Sequence, residues 1–147
     1  MVLFEAEICV DAHGSKKNSK NLFVNRRTNR TFVASSNRAR VAEAMLVSEL
    51  GRYRIQYSWL PIRERVNAKF IFVFPKDEYF TKKGLRSKNL PDQSNLYELP
   101  QDALQKSGIL ENDRLVASHD GSRIMWGPVR KIIIELSKFS EPEEFQE

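Results

Sequence analysis

Apolar and polar positions alternate along this chain in short runs interrupted by two longer stripes with helical spacing, and these periods set the expected elements. Leu3 to Val10 mixes apolar residues with Glu5 and Glu7 and reads as a strand. Leu22-Phe-Val and Thr31-Phe-Val flank Asn25-Arg-Arg-Thr-Asn-Arg, the pattern of a hairpin with a long basic tip. Ser36 stands where it caps a helix running to about Leu50, with Val41, Met45 and Leu46 on one face, Met45 as plain core, and Gly51 as the stop. Tyr53, Ile55, Tyr57 and Trp59 then alternate as a strand would, before Pro61. Val66 to Phe74 predicts a strand ended by Pro75, with Phe70, Phe72 and Phe74 on one face as core. Lys76 to Pro91 reads as a long polar loop.

Ser94, with Glu98 in the first turn, predicts the cap of a second helix reaching Lys106, and Gly108 sits where a C-terminal glycine belongs. Leu96, Leu99, Ala103 and Leu104 form its apolar face, and Pro100 is expected to remove one backbone bond and bend it. Leu115 to Ser118 and Val129 to Leu136 finish as strands around the turn His119-Asp-Gly-Ser-Arg. The order of strands, helix, strand, helix and strands implies an α+β fold. Two main helices should pack on a mixed, mostly antiparallel sheet in a single domain.

Composition narrows the class. A chain of 147 residues, 41% hydrophobic, supports one core. The domain is expected over residues 1–139, followed by an acidic tail at 140–147 that is expected to be disordered. Nothing approaches the roughly 18 uncharged apolar residues of a spanning helix, and the acidic start Met1-Val-Leu-Phe-Glu-Ala-Glu is expected to be no secretory leader. Cys9 is the one cysteine, expected as a small core residue on the first strand, so no intrachain disulfide forms and a cytoplasmic setting is natural. Cys9, His13 and His119 are too few for a structural zinc site. The six glycines are dispersed, so no phosphate-cradling loop and no small-molecule cofactor is expected.

Charge changes the picture most. Ser140 to Glu147 carries four glutamates and no base, so residues 1–139 hold four more positive charges than the chain's net +5. Between His13 and Arg40 lie Lys16, Lys17, Lys20, Arg26, Arg27, Arg30, Arg38 and Arg40, with no acid among them. Lys82, Lys83, Arg86 and Lys88 form a second basic run. Two such runs point to a polyanionic partner, against the plainer reading of two solvated loops.

Inside this basic chain, carboxylates gather around the second helix. Asp92 precedes it, Glu98 and Asp102 are spaced i, i+4 on one face, Glu111 and Asp113 follow its end, and Asp120 lies in the next turn. Hard oxygen ligands suit Mg²⁺ or Mn²⁺, which activates water and stabilises an in-line phosphoryl displacement. Asp92, Glu98 and Asp113, with Asp102 and Asp120 nearby, are expected to converge in one pocket. A basic rim around carboxylates is the pattern of a metal-dependent nuclease; a merely solvated acidic face is the alternative.

Residues 92–114, Asp92-Gln-Ser-Asn-Leu-Tyr-Glu-Leu-Pro-Gln-Asp-Ala-Leu-Gln-Lys-Ser-Gly-Ile-Leu-Glu-Asn-Asp-Arg, resemble the signature of the RusA family of Holliday-junction resolvases. That signature reads Asp-x-Asp-Asn-Leu, then Asp-Ala-Leu, a glycine and an Asp-Asp pair. His119-Asp-Gly-Ser-Arg123 is similar to a turn of a phage-type branch, as are Lys16-Lys-Asn-Ser-Lys, Asn25-Arg-Arg-Thr and Ser35-Ser-x-Arg. The resemblance spans most of residues 5–136. It implies a homodimeric, Mg²⁺- or Mn²⁺-dependent endonuclease of recombination and repair, resolving four-way DNA junctions by paired nicks in a bacterial or phage-infected cytoplasm. Asp92 and Asp113 match two metal-binding aspartates, while Ser94 replaces the second signature aspartate, Asn112 replaces the first of the Asp-Asp pair, and Glu98 stands in place of a catalytic lysine. Glu98, one turn from Ser94, is the expected substitute ligand. The other reading, from the same departures, is a non-catalytic nucleic-acid-binding protein on this fold.

Overall fold

The computed structural model describes residues 1–12, 20–25, 30–35, 37–80 and 93–141. Among the described residues seven strands form, β1 (Val2–Ile8), β2 (Lys20–Asn25), β3 (Arg30–Ser35), β4 (Val66–Pro75), β5 (Val116–Ser118), β6 (Arg123–Gly127) and β7 (Lys131–Lys138). The helices are α1 (Asn37–Gln56), α2 (Gln93–Leu96) and α3 (Glu98–Lys106).

β4 carries the sheet. Its alternating Val66, Ala68, Phe70, Phe72 and Phe74 are buried, as are Phe4, Ala6 and Ile8 of β1 and Ile132, Ile134 and Leu136 of β7. β7 lies antiparallel between β1 and β4, while β5 and β6 both run parallel to β4 along its other edge. The sheet is therefore mixed, in order β1-β7-β4 with β5 and β6 sharing the last place, and the fold is α+β as the element order implied. β2 and β3 pair as a separate antiparallel hairpin. Phe70, Phe72 and Phe74 pack in the core with Leu46 and Leu50 of α1 and Leu96, Leu99, Ala103 and Leu104 of α2–α3.

Several local expectations are corrected. α1 does not stop at Gly51 but runs through it to Gln56, so Tyr53 and Ile55 are helical rather than on a strand. Its end is made at Ser58, whose φ of 49° supplies the left-handed turn, and the Trp59 amide then donates back to the Arg54 carbonyl at 2.9 Å. The buried stripe of α1 is Ala39, Ala42, Leu46 and Leu50, which leaves Val41 and Met45 exposed on another face. Cys9 lies just past the end of β1 and is exposed rather than core. The segment after the turn at residues 119–122 is a further strand, β6, that the sequence reading left out.

Gly108 does end α3: with φ of +81° it lets the Ile109 amide reach the Leu104 carbonyl at 3.1 Å. Pro100 acts earlier than expected. Its missing N–H leaves the Leu96 carbonyl without the usual helical partner, and the helix is interrupted at Tyr97. Tyr97 keeps helical dihedrals (φ −69°, ψ −33°), so α2 and α3 continue as one interrupted rod.

Candidate nucleic-acid cleavage site

Two segments carry the candidate carboxylates, the α2–α3 rod and residues 113–122. Gln93, Tyr97, Gln101 and Gln105 are spaced four apart along the rod and share one face. Each reaches the second segment. Gln93 Nε2 donates to the Ser122 carbonyl at 2.9 Å and to the Tyr97 hydroxyl at 2.7 Å. The Tyr97 ring stacks on the His119 imidazole, with centroids 4.2 Å apart and planes 14° from parallel. Gln101 Oε1 accepts from His119 Nε2, and Gln105 Oε1 accepts from the Asp113 amide at 3.1 Å.

The turn from His119 to Ser122 is seated on β4 by side chains where the strand ladder is broken between β5 and β6. Asn67 Oδ1 accepts from the Asp120 amide at 2.7 Å and from the Ser118 hydroxyl at 2.6 Å, and Asn67 Nδ2 donates to the Asp120 carbonyl at 3.1 Å. Ser122 Oγ accepts from the Phe70 amide at 2.9 Å and donates to the Ala68 carbonyl at 3.3 Å. The β4 backbone groups facing the gap are thereby satisfied, as buried polar groups must be. Gly121 closes the turn with φ of +86°.

The predicted residues fall as follows. Glu98 opens α3 and Asp102 lies one turn on, both half-buried. Asp113 begins a 3₁₀ turn over Asp113–Leu115. Asn112 caps that turn, its Oδ1 accepting from the Arg114 amide at 2.9 Å, a structural use for the residue at the Asp-Asp position. Asp120 and Arg123 are exposed, Arg123 at the start of β6. Ser94 is the second residue of α2 rather than its cap. Lys20 opens β2 and Arg30 opens β3. Asp92, Lys16, Lys17, Arg26, Arg27, Lys82, Lys83, Arg86, Lys88, the Ser36 cap and residues 142–147 lie outside the described residues.

Among the described residues, no three carboxylate, imidazole or thiol groups come together in a set able to hold a metal ion. Glu98, Asp102, Asp113 and Asp120 thus supply no such set by themselves. Their chemistry still suits a hard cation, because Mg²⁺ is commonly held by one or two carboxylates with water and substrate phosphate completing its shell. Burial pushes the His119 pKa below its ordinary value, and the Asp120 charge offsets part of that shift. The imidazole is therefore neutral near pH 7, and the Gln101 acceptor fixes its proton on Nε2.

Sequence reasoning passed over Gln93, Tyr97, Gln101 and Gln105, and named His119 only as a soft ligand and a turn residue. Their four-residue spacing was visible, but polar residues at i, i+4 on a helix ordinarily face solvent. Only the fold supplies the segment they meet. Among the described residues no helix is long and apolar enough to cross a membrane. The chain matches no protein-family model and no curated protein.

Proposed function

We propose that this chain is a metal-dependent, structure-selective DNA endonuclease acting on four-way junctions, and that it works as a homodimer. The observation that carries the reading is the joining of the α2–α3 rod to residues 113–122 by Gln93, Gln101 and Gln105. It holds Glu98 and Asp102 on one segment in fixed relation to Asp113 and Asp120 on the other. Asp92, directly before Gln93 in sequence, is the remaining proposed ligand. A divalent ion there would supply an activated water and charge stabilisation. The chain's own part is to orient those carboxylates and, through Lys16 to Arg40 and Lys82 to Lys88, to bind the phosphate backbone. Two opposed nicks on a symmetric junction are most simply made by an isologous pair.

A second reading, a nucleic-acid-binding protein without cleavage, is favoured by one observation: Asn112 serves as a turn cap where the resemblance calls for a ligand. The test is nicking of a synthetic four-way junction against linear duplex of the same sequence, with Mg²⁺ and with chelator. Mg²⁺-dependent cutting confined to the junction supports the first reading. Tight junction binding without cutting in Mg²⁺ supports the second, and indifference to both DNAs refutes both.

A further inference from the structure

The four-residue spacing of Gln93, Tyr97, Gln101 and Gln105 puts a neutral polar strip on the rod where an apolar or charged face is usual. Three amides and a phenol make four contacts to a neighbouring segment at residues 113–122. The three glutamines take no part in the core, which is filled by Leu96, Leu99, Ala103 and Leu104 of the same rod, while the Tyr97 ring also packs against it beside Phe70 and Phe72. A strip used only for stability would be expected to be apolar, because a net hydrogen bond stabilises less than burying a large apolar side chain. What hydrogen bonds add is direction and distance. Each one here ends on a backbone or ring group within two residues of a candidate carboxylate: Asp113 itself, His119 beside Asp120, and Ser122 two residues beyond it.

We propose that Gln93, Tyr97, Gln101 and Gln105 form a positioning zipper that sets the register between the rod and residues 113–122. It thereby sets the spacing of the carboxylates on the two sides. This rests on the nuclease reading for its purpose, but the zipper has its own physical signature. Gln105 accepts from the Asp113 amide and so slows its exchange with solvent.

The test uses the full chain and the double variant Gln101→Met and Gln105→Met, which keeps side-chain length while removing both acceptors. Tyr97→Phe, which keeps the ring stack and loses the hydroxyl that Gln93 engages, serves as the milder companion. Three quantities are measured on each: amide exchange at Asp113 by NMR, the dissociation constant for Mn²⁺ alone by electron paramagnetic resonance, and junction affinity in chelator. In the double variant, exchange at Asp113 should accelerate at least tenfold and the Mn²⁺ dissociation constant should rise about tenfold. Junction affinity without metal should stay within twofold. Tyr97→Phe should fall between wild type and the double variant. A merely structural role would lower thermal stability and leave Mn²⁺ affinity of the folded protein unchanged, which overturns the proposal. An Asp113 amide as labile in wild type as in the variant overturns it too, whatever happens to metal or DNA. A wild type that protects the amide and binds the junction, yet takes up no Mn²⁺, refutes the nuclease reading and with it the role given to the strip.

Discussion

Gly51 and Gly108 carry opposite expectations, and replacing each by alanine tests how α1 and α3 end. Gly51 lies inside α1, and an added Cβ would meet nothing within 4 Å. Alanine there loses less backbone entropy on folding than glycine, so Gly51→Ala should stabilise the protein by about 0.5–1 kcal/mol. Gly108 has φ of +81°, and a Cβ built on it would lie 2.7 Å from Arg54 Nη1. The left-handed backbone costs a non-glycine residue about 1–2 kcal/mol. The arginine is a flexible side chain and moves aside at small further cost, so Gly108→Ala should destabilise by about 1–2 kcal/mol. At an unfolding entropy of roughly 2 cal/mol/K per residue, these changes should raise the melting temperature by about 2–3 °C and lower it by about 3–7 °C. In urea, with a slope of about 2 kcal/mol/M, the midpoints should move by roughly 0.3–0.5 M upward and 0.5–1 M downward. Unfolding by heat and by urea, followed by circular dichroism, gives the signs directly. If Gly51 were the helix stop that its place after Leu50 suggests, Gly51→Ala would destabilise like Gly108→Ala. A loss of stability at Gly51 would refute the continuous helix.

Other outcomes follow from the same structure. His119 has a folded pKa below its ordinary value of about 6.5, so the unfolded chain binds the proton more readily. Its contribution is intact above that value and is lost as pH falls from there toward the folded pKa. Urea titrations from pH 7.5 to 5 should therefore show wild type losing more stability than His119→Phe, and parallel curves would contradict this origin. Junction affinity should fall with salt at a log–log slope of roughly −0.9 per phosphate contact, and Arg26→Ala and Lys82→Ala should each flatten it by about one unit. Slopes unchanged in both variants would remove these two residues from the interface. Phe70→Ala, at a fully buried position of β4, should cost about 3–5 kcal/mol by chemical denaturation. A loss under 1 kcal/mol would place the core elsewhere.

The fold was legible wherever a residue type has one dominant use. Phe70, Phe72 and Phe74 at period two, the stripe from Leu96 to Leu104 and the stop at Gly108 each read correctly, because burial and left-handed backbone leave few alternatives. The errors fall where local signals compete. Gly51 resembles a stop, yet glycine is tolerated inside a helix whose Leu46 and Leu50 are already anchored in the core. Ser58 made the actual end, a conformation that serine seldom adopts and that nothing nearby announces. Met45 looked like core because it is apolar, but the 3.6-residue period places it beside the buried stripe rather than on it. β6 was hidden because Arg123, Met125 and Trp126 are exposed along an edge, so no buried alternation marks it. At the site, the acids were visible as acids. Their relation was not, since it is set by Gln93, Gln101 and Gln105 reaching across to a segment many residues later in the chain.

The most direct test of the central proposal separates cutting from binding at Asp113, whose amide donates to Gln105 and whose carboxylate is a proposed metal ligand. Wild type and Asp113→Asn are compared on one labelled four-way junction, scoring nicks in Mg²⁺ and affinity in chelator. Wild type should cut the junction in Mg²⁺ at symmetric positions. Asp113→Asn should lose that cutting by at least a hundredfold while binding the junction as tightly or more tightly, because the substitution removes an ion ligand and a charge that repels phosphate. Equal cutting by the two proteins, or loss of binding together with cutting, would contradict the account.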